Sequence, residues 1–258
     1  ISDDGSYAVV SALFEDPGGT SQAGSAYIFT RSGSTWTQQQ KIQASDKAAD
    51  DRFGESVAMN SDGTYVVVGS MRDDVGGTNY GSAYIFTRSG TSWSQQAKIN
   101  PSPTDGVQFG QTAAINNDAT YIAVGTSYDN TNGTNAGAVW IFTRSGSSWS
   151  QQVKLISSDI QAGDNFGRGI SFNSDATYLA AGARLEDGGS GDPTLNCGAV
   201  YVFERDGSTW TEVKKLIASN AETNGYFGLG LSMNSDGAYL IIGAPETSAG
   251  GAVYIYKA

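Results

Sequence analysis

The chain has 258 residues, of which 39% are apolar, and it carries a net charge of −11 at pH 7 with one cysteine and no histidine. The acidic charge argues against a nucleic-acid partner, because phosphate binding needs clustered Lys and Arg, and no apolar stretch approaches the roughly 18 residues of a membrane span. The single Cys197 excludes a disulfide framework, and the lack of histidine removes the commonest general base and transition-metal ligand.

The first repeated feature along the chain is a tyrosine that follows a short Asp-containing turn, and it occurs five times. The copies are Tyr7, Tyr65, Tyr121, Tyr178 and Tyr239, which gives spacings of 58, 56, 57 and 61 residues. Phe-Gly pairs and tryptophans keep the same period, at Phe53, Phe109, Phe166 and Phe227 and at Trp36, Trp93, Trp149 and Trp210. We therefore predict one repetitive domain over 1–258, with copies at about 1–45, 46–101, 102–158, 159–219 and 220–258.

Each period predicts four short strands. The first follows Phe-Gly (ESVAMN and its copies) and ends at an Asn/Asp/Gly turn, which is typical of a tight hairpin. The second is YVVVGS or a copy, and a glycine-rich loop leads to the third, GSAYIFTR or a copy. A Ser-Gly or Asp-Gly turn then leads to the fourth strand, STWTQQQKI and its copies.

The polarity of these strands indicates how they pack. The second and third strands are apolar on both faces, so both faces must be covered, whereas the fourth mixes Trp with Gln, Thr and Lys as an outer edge strand does. The sequence therefore predicts an all-β fold, a β-propeller of five repeats of about 57 residues with four-stranded antiparallel blades.

Two recurring side chains lie at the hairpin between the third and fourth strands. We expect the tryptophan to pack against the next blade, where burial of its ring stabilises the fold by roughly 1.5–3 kcal/mol. The arginines before the turn are predicted to be solvated or to lie over the tryptophan: Arg31, Arg88, Arg144 and Arg205. Cys197 is predicted to be a small buried residue.

At these landmarks the chain resembles the FG-GAP repeat family, the propeller repeats of integrin α-subunit heads and of many bacterial and protist surface proteins. Four Phe-Gly pairs are present, but Gly-Ala-Pro survives only at Gly243-Ala244-Pro245. Integrin-type repeats often carry a calcium loop between the first and second strands. In the second to fifth copies of this chain that turn holds one lone aspartate, which we interpret as turn-forming: Asp62, Asp118, Asp175 and Asp236.

A recurring acidic pair lies in the loop between the second and third strands. In this topology that loop and the loop entering the first strand emerge at one end of the blade, and acidic residues concentrate there. The carboxylates either cap backbone amides in a solvated loop, or they bind low-affinity calcium or a basic protein or carbohydrate partner. The pairs, with a weaker copy at Asp129-Asn130 and a remnant at Glu246, supply the weak metal-ligand candidates Glu15, Asp16, Asp73, Asp74, Asp129, Glu186 and Asp187.

Two further features bear on catalysis and location. Paired carboxylates can carry out glycoside hydrolysis, but that needs one pair across a cleft, and repetition argues against catalysis. The longer loop from Arg184 to Cys197 is the chief candidate for a hydrolase or lyase site. Asn132-Gly133-Thr134 is an N-glycosylation acceptor, which together with the resemblance favours an extracellular or cell-surface glycoprotein.

The terminal repeats are predicted to be incomplete blades. The first copy lacks its first strand and the last stops after its third, so one contiguous unit of about 26 residues is missing between Ala258 and Ile1. That unit belongs to a longer chain, is replaced by a neighbouring subunit or segment, or marks a ring with further repeats. We favour a five-bladed ring in which the two incomplete blades abut, as part of a longer protein. If it is absent, unpaired backbone near Ile1 and Ala258 offers a site for strand addition by a partner.

The leading functional prediction is a non-catalytic extracellular propeller module for adhesion, recognition or assembly of a larger surface or filament structure. It has no catalytic residue and no cofactor other than the calcium considered above. The alternative is a lectin-like module with sugar sites between blades, which requires Trp or Tyr beside polar groups in each cleft. A hydrolase or lyase is the least favoured class.

Overall fold

The structure, a computed structural model, describes residues 1–75, 78–101, 108–187, 194–248 and 250–257. Within these ranges the chain forms strands and one 3₁₀ turn at Pro17–Gly19, and no helix among them is long and apolar enough to span a membrane. The strands are β1 (Tyr7–Ala12), β2 (Ser25–Ser32), β3 (Thr35–Ile42), β4 (Phe53–Met59), β5 (Tyr65–Ser70), β6 (Ser82–Ser89), β7 (Ser92–Ile99), β8 (Thr112–Ile115), β9 (Tyr121–Thr126), β10 (Ala138–Ser145), β11 (Ser148–Leu155), β12 (Phe166–Phe172), β13 (Tyr178–Ala183), β14 (Ala199–Asp206), β15 (Thr209–Leu216), β16 (Gly230–Met233), β17 (Tyr239–Ala244) and β18 (Ala252–Lys257).

These strands form five antiparallel sheets in sequence order, which we call blades 1 to 5. Blades 2, 3 and 4 have four strands each, β4 to β7, β8 to β11 and β12 to β15. Blade 1 (β1 to β3) and blade 5 (β16 to β18) have three strands each. The chain is thus an all-β protein of five propeller blades with incomplete terminal blades, as predicted.

The residues group into two compact units. The first contains residues 1–124 and 142–151, and the second contains residues 125–141 and 152–258. Blades 1 and 2 lie in the first unit and blades 4 and 5 in the second.

The turn between the first and second strands confirms the predicted role of its aspartate. Asp62 Oδ1 accepts hydrogen bonds from Thr64 N at 3.0 Å and Asn60 Nδ2 at 2.9 Å, and Asn60 Oδ1 accepts from Tyr65 N at 2.8 Å. The same contacts recur at Asp118 and Asp175, while Asp236 accepts from Ala238 N at 2.9 Å. These aspartates shape hairpins.

The arginine near the end of the third strand links the turn between the third and fourth strands to the turn between the first and second strands of the same blade. Arg205 Nε donates to Ala176 O at 2.6 Å and Nη2 donates to Asp175 O at 3.1 Å, while its guanidinium lies 6.0 Å from the Trp210 ring centroid. Arg31 and Arg144 lie over Trp36 and Trp149 in the same way. The predicted stacking is confirmed for these three, and the carbonyl contacts give the arginine a structural role.

Neighbouring blades pack through their apolar faces. In the first unit, Ala26 and Ile28 of blade 1 share a buried cluster with Phe53 and Tyr84 of blade 2, whose rings meet edge to face at 5.5 Å. In the second unit, Val200 and Val202 of blade 4 share a cluster with blade 5, including Phe227. The phenylalanine of the Phe-Gly pair thus packs against the preceding blade. Cys197 is buried, as predicted.

The recurring tryptophan contacts the preceding blade, and our prediction that it packs against the next one is wrong. Trp93 Nε1 donates to Gln39 Oε1 of blade 1 at 3.0 Å, and Trp210 Nε1 donates to Gln152 Oε1 at 3.0 Å. Trp149 makes the same contact with Gln96 at 3.1 Å. Trp93, Trp149 and Trp210 therefore each lie at the outer edge of the contact with the blade before their own.

Candidate functional site

The first carboxylate of each acidic pair is bound by a lysine from the fourth strand. Register places that lysine opposite the aromatic residue of the third strand, as Lys98 opposite Tyr84 and Lys215 opposite Tyr201. The ammonium lies over the ring, 5.2 Å from the Tyr84 centroid, and reaches the loop carboxylate beyond it. The pairs are Glu15 with Lys41, Asp73 with Lys98 at 2.6 Å, Asp129 with Lys154 at 2.8 Å and Glu186 with Lys215 at 2.7 Å.

The second member of each pair caps a backbone amide, in line with the first of our two interpretations. Asp74 Oδ1 accepts from Asn79 N at 2.8 Å, and Asp187 Oδ1 accepts from Asn196 N at 2.7 Å. Asp16 and Asn130 do the same for Gln22 and Asn135. All four capped residues have a positive φ between 47° and 57°. The cap therefore stabilises a left-handed backbone conformation that residues other than glycine rarely adopt.

Blades 2 and 4 extend this contact to a second carboxylate from the preceding loop. Asp46 accepts hydrogen bonds from Tyr84 Oη at 3.0 Å and Lys98 Nζ at 2.7 Å. Asp159 accepts from Tyr201 Oη and Lys215 Nζ, both at 2.7 Å. Each cluster thus holds two carboxylates and one lysine, and burial is the largest cause that raises the pKa of the two tyrosines.

A third carboxyl lies buried beside each cluster. Burial raises the pKa of Asp51 to about 6, and so, to a smaller degree, do the charges of Asp73 and Asp74. Burial raises the pKa of Asp164 to about 6 in the same way, with a smaller effect from Glu186 and Asp187. These two aspartates are the groups best suited to exchange protons near neutral pH.

The stability of the second unit should therefore depend on pH through Asp164. The folded carboxyl keeps its proton up to about pH 6, whereas the unfolded carboxyl loses it near 3.8, so the folded state binds more protons between these values. Stability then falls as pH rises from about 4 to about 6. Asp164→Asn should remove that fall and stabilise the chain at pH 7 relative to wild type, as measured by urea unfolding at pH 4, 5.5 and 7.

Asp175→Asn should change the stability of the same unit at pH 7 in the opposite direction. Hydrogen bonds from Thr177 lower the pKa of Asp175, so its stabilising effect is present above the unfolded pKa and disappears as pH falls below it. The variant should be less stable than wild type at pH 7. A gain in stability at pH 7 from Asp175→Asn, or none from Asp164→Asn, contradicts this account.

The remaining predicted site residues lie apart from these clusters. Asn132 is exposed in a turn closed by Gly133 N and Asn130 O at 3.2 Å, so the sequon is accessible. Glu246 is not the remnant of an acidic pair, because Thr247 occupies the position of Asp73 and contacts Gly251 N through its hydroxyl at 3.2 Å. In the long loop from Arg184, residues 188–193 lie outside the described residues, as does Ala258.

A small cavity lies beside Asp164 at the acidic end of the second unit. Its volume is about 70 Å³, and its lining includes Gln161, Asp164, Glu186 and Asp187. Among the described residues no three His, Cys, Asp or Glu side chains are arranged to hold a metal ion. Glu186 in this lining is bound by Lys215 and the Asp187 carboxylate by a backbone amide.

Blade 5 presents an uncovered apolar face. We call the face of a blade that lies toward the next blade in sequence its downstream face. On blade 4 this face includes Ala180, Val200 and Val202, which are 0%, 0% and 6% exposed. The equivalent residues of blade 5 are Ile241, Val253 and Ile255, and these are 45%, 67% and 73% exposed.

Two cavities border this blade. One, of about 200 Å³, lies at the outer edge and is lined by Val213, Leu216, Met233, Leu240 and Tyr256 among others. The other, of about 540 Å³, lies near the start of β18 and is lined by Gly230, Gly243, Gly250, Gly251 and Val253 among others. Among the described residues no strand pairs with the free edge of β18. The sequence predicted strand addition here, but not the apolar face or the cavities.

The sequence-family comparison agrees with the repeats. A model of the FG-GAP repeat matches residues 36–86, 93–142, 149–203 and 210–256, which together cover most of the chain. The chain belongs to the FG-GAP repeat family. The FG-GAP matches start at each tryptophan, so one family repeat spans the fourth strand of one blade and the first three of the next.

Solved structures share the fold of this FG-GAP chain at low sequence identity. The periplasmic gluconolactonase PpgL of Pseudomonas aeruginosa is 14% identical with a TM-score of 0.61, over 99% of this chain and 69% of that one. TolB from Acinetobacter baumannii is 10% identical with a TM-score of 0.54, and the chain spans about half of it, 51%, with 99% of this chain covered. No curated protein sequence matches the FG-GAP chain significantly.

Proposed function

We propose that this chain is a non-catalytic assembly module that works outside the cytoplasm and holds another polypeptide on the downstream face of blade 5. The observation that carries the proposal is the exposure of Ile241, Val253 and Ile255, whose equivalents in blade 4 are buried. An apolar sheet face beside an unpaired strand edge is the surface to which an added strand binds.

The chemistry of the acidic loops supports a binding role over catalysis. The first carboxylate of each pair is bound by a lysine in four blades, whereas a catalytic acid or nucleophile needs a distinct environment at one place. Exposed Asp16, Asp74 and Asp187 leave a secondary role for calcium, or for a basic or carbohydrate partner, at the loop ends of each unit.

The clefts between blades support a protein ligand over a sugar. A lectin-like module needs an aromatic ring and free polar groups in each cleft. Here the Trp93 indole is buried and its Nε1 is bonded to Gln39, and Trp210 is bonded to Gln152. These polar groups serve the contact between blades.

A peptide array tests the proposal. Overlapping 25-residue peptides from this chain, probed with the labelled protein, should include binders that depend on the blade 5 face. Ile255→Lys should abolish binding to those peptides, because a charge on the apolar face opposes strand docking. Leu195→Lys, which places the same charge on another exposed apolar residue, should leave it unchanged. The proposal fails if no peptide distinguishes Ile255→Lys from wild type.

A further inference from the structure

The outer cavity of blade 5 occupies the position that a tryptophan fills in blade 4. Trp210 lies against Phe172 of the first strand of its blade, with ring centroids 6.0 Å apart. Its Nε1 donates a hydrogen bond to Gln152 of the preceding blade. The equivalent of Phe172 in blade 5 is Met233, and the equivalent of Gln152 in blade 4 is Val213. Both residues line the cavity of about 200 Å³, so this cavity lies at the position equivalent to that of the Trp210 ring in blade 4.

The second cavity occupies the position that a Phe-Gly pair fills in the other blades. Gly24, Gly81 and Gly137 each form a parallel bridge with the phenylalanine of the next blade, and Phe227 N donates to Cys197 O at 2.9 Å beside Gly198. The next glycine in this series is Gly251, which lines the cavity of about 540 Å³ with Gly243.

The glycines of the second strand give independent support. A Cβ at Gly182 would lie 2.1 Å from Gly228 O of the following blade, and one at Gly69 would lie 1.9 Å from Gly110 O. At Gly243 the nearest atom is Gly230 O of its own blade, at 3.6 Å. Blade 5 thus keeps the glycine that admits a following backbone, without a following backbone among the described residues.

We infer that blade 5 binds a further FG-GAP-type segment that is not paired within blades of its own, with its tryptophan over Val213 and its Phe-Gly pair at Gly251. This rests on the proposed function and names the partner class. The repeats set the spacing, because the phenylalanine follows the tryptophan by 17, 16, 17 and 17 residues in the pairs Trp36–Phe53, Trp93–Phe109, Trp149–Phe166 and Trp210–Phe227.

A folded second copy does not supply such a segment. Its Trp93, Trp149 and Trp210 are bonded to glutamines of its own blades, and Phe53, Phe109, Phe166 and Phe227 are buried. The donor must therefore carry a repeat segment that is not paired within its own blades.

The loop of blade 5 lacks the carboxylate that binds the lysine of the fourth strand in the other blades. In blades 1 to 4 the lysine five residues after the tryptophan pairs with a loop carboxylate, as Lys154 does with Asp129. Thr247 occupies the carboxylate position in blade 5. A lysine at this place in the incoming strand therefore gains no charge partner, and its removal should leave affinity unchanged.

A synthetic peptide of residues 147–171 tests the inference, since it carries Trp149, Lys154, Phe166 and Gly167. Binding of the fluorescent peptide to the full chain, measured by anisotropy, should weaken at least about tenfold with Trp149→Ala or Phe166→Ala in the peptide. Lys154→Ala in the peptide should bind like the parent. On the protein, Val213→Lys should weaken binding as Ile255→Lys does, and Leu195→Lys should not.

The outcomes separate the two levels of the proposal. Binding that requires Ile255 but ignores Trp149 and Phe166 overturns this inference and leaves the proposed function standing. Peptide binding that is absent, or is unaffected by Ile255→Lys, overturns the inference, and the array then decides the proposed function. The peptide variants do not alter the folded protein, so misfolding of a protein variant does not obscure the result.

Discussion

Gly137→Ala should destabilise the chain by about 3 kcal/mol or more in urea unfolding, although it adds one methyl group. Gly137 has φ +90, and a Cβ there would lie 2.0 Å from Phe166 O and 2.5 Å from Phe166 N. These backbone atoms belong to the bridge through which blade 4 joins blade 3, so they have little room to move. The cost combines the positive φ with displacement of the Phe-Gly segment.

Gly146→Ala separates these two contributions. Gly146 has φ +61 in the outer hairpin turn, and nothing lies within 4 Å of its Cβ position. The variant bears only the backbone cost, which we expect to be about 1 kcal/mol. Equal losses of stability in the two variants would show that the glycine before the third strand is required for its φ and not for the approach of the next blade.

The fold was predictable because each landmark has one physical role per repeat. Phe53 and its copies are buried between blades, and Asp62 and its copies form the turns. A strand that is apolar on both faces has to be covered on both, and stacked blades provide that cover. The period of these features was therefore sufficient to predict the number of blades and their strands.

The direction of the tryptophan contact was not predictable from the same pattern. The blades before and after a given tryptophan carry nearly the same fourth strand. For Trp93, Gln39 of the blade before and Gln152 of the blade after are therefore equally plausible partners on sequence grounds. The structure shows that the partner is the glutamine of the preceding blade. The uncovered face was missed for a related reason, because Val253 and Ile255 read as ordinary core residues of a repeat.

The lysine partners of the acidic loops had a signal that our prediction did not use. Glu15 and Lys41 are 26 residues apart in sequence, and the hairpin of β2 and β3 brings them together. The lysine stands five residues after the tryptophan in each of the four repeats that have a fourth strand. This lysine recurs on the fourth strand, where the strand register places it opposite a tyrosine or tryptophan. Such a recurrence predicts a carboxylate partner for the lysine in the adjoining loop.

Asp129→Ala should cost about 3 kcal/mol of unfolding free energy, the second large effect we expect. Asp129 is fully buried, and its carboxylate accepts from Lys154 Nζ at 2.8 Å and from Thr131 N at 3.0 Å. Removing it leaves the ammonium of a mostly buried lysine without its counter-charge over Trp140. Breaking one side of a buried pair is far more destabilising than the net value of the pair.

Glu15→Ala in blade 1 is the matched control, since Glu15 pairs with Lys41 at the equivalent position. Both side chains there are about 30% exposed, so water compensates for the lost contact and the cost should be at most about 1 kcal/mol. The comparison decides what the repeated ion pair does. A large difference shows that burial in blade 3 makes the ion pair part of the core, whereas equal small losses would show that these ion pairs contribute little to stability and only neutralise the loop carboxylates.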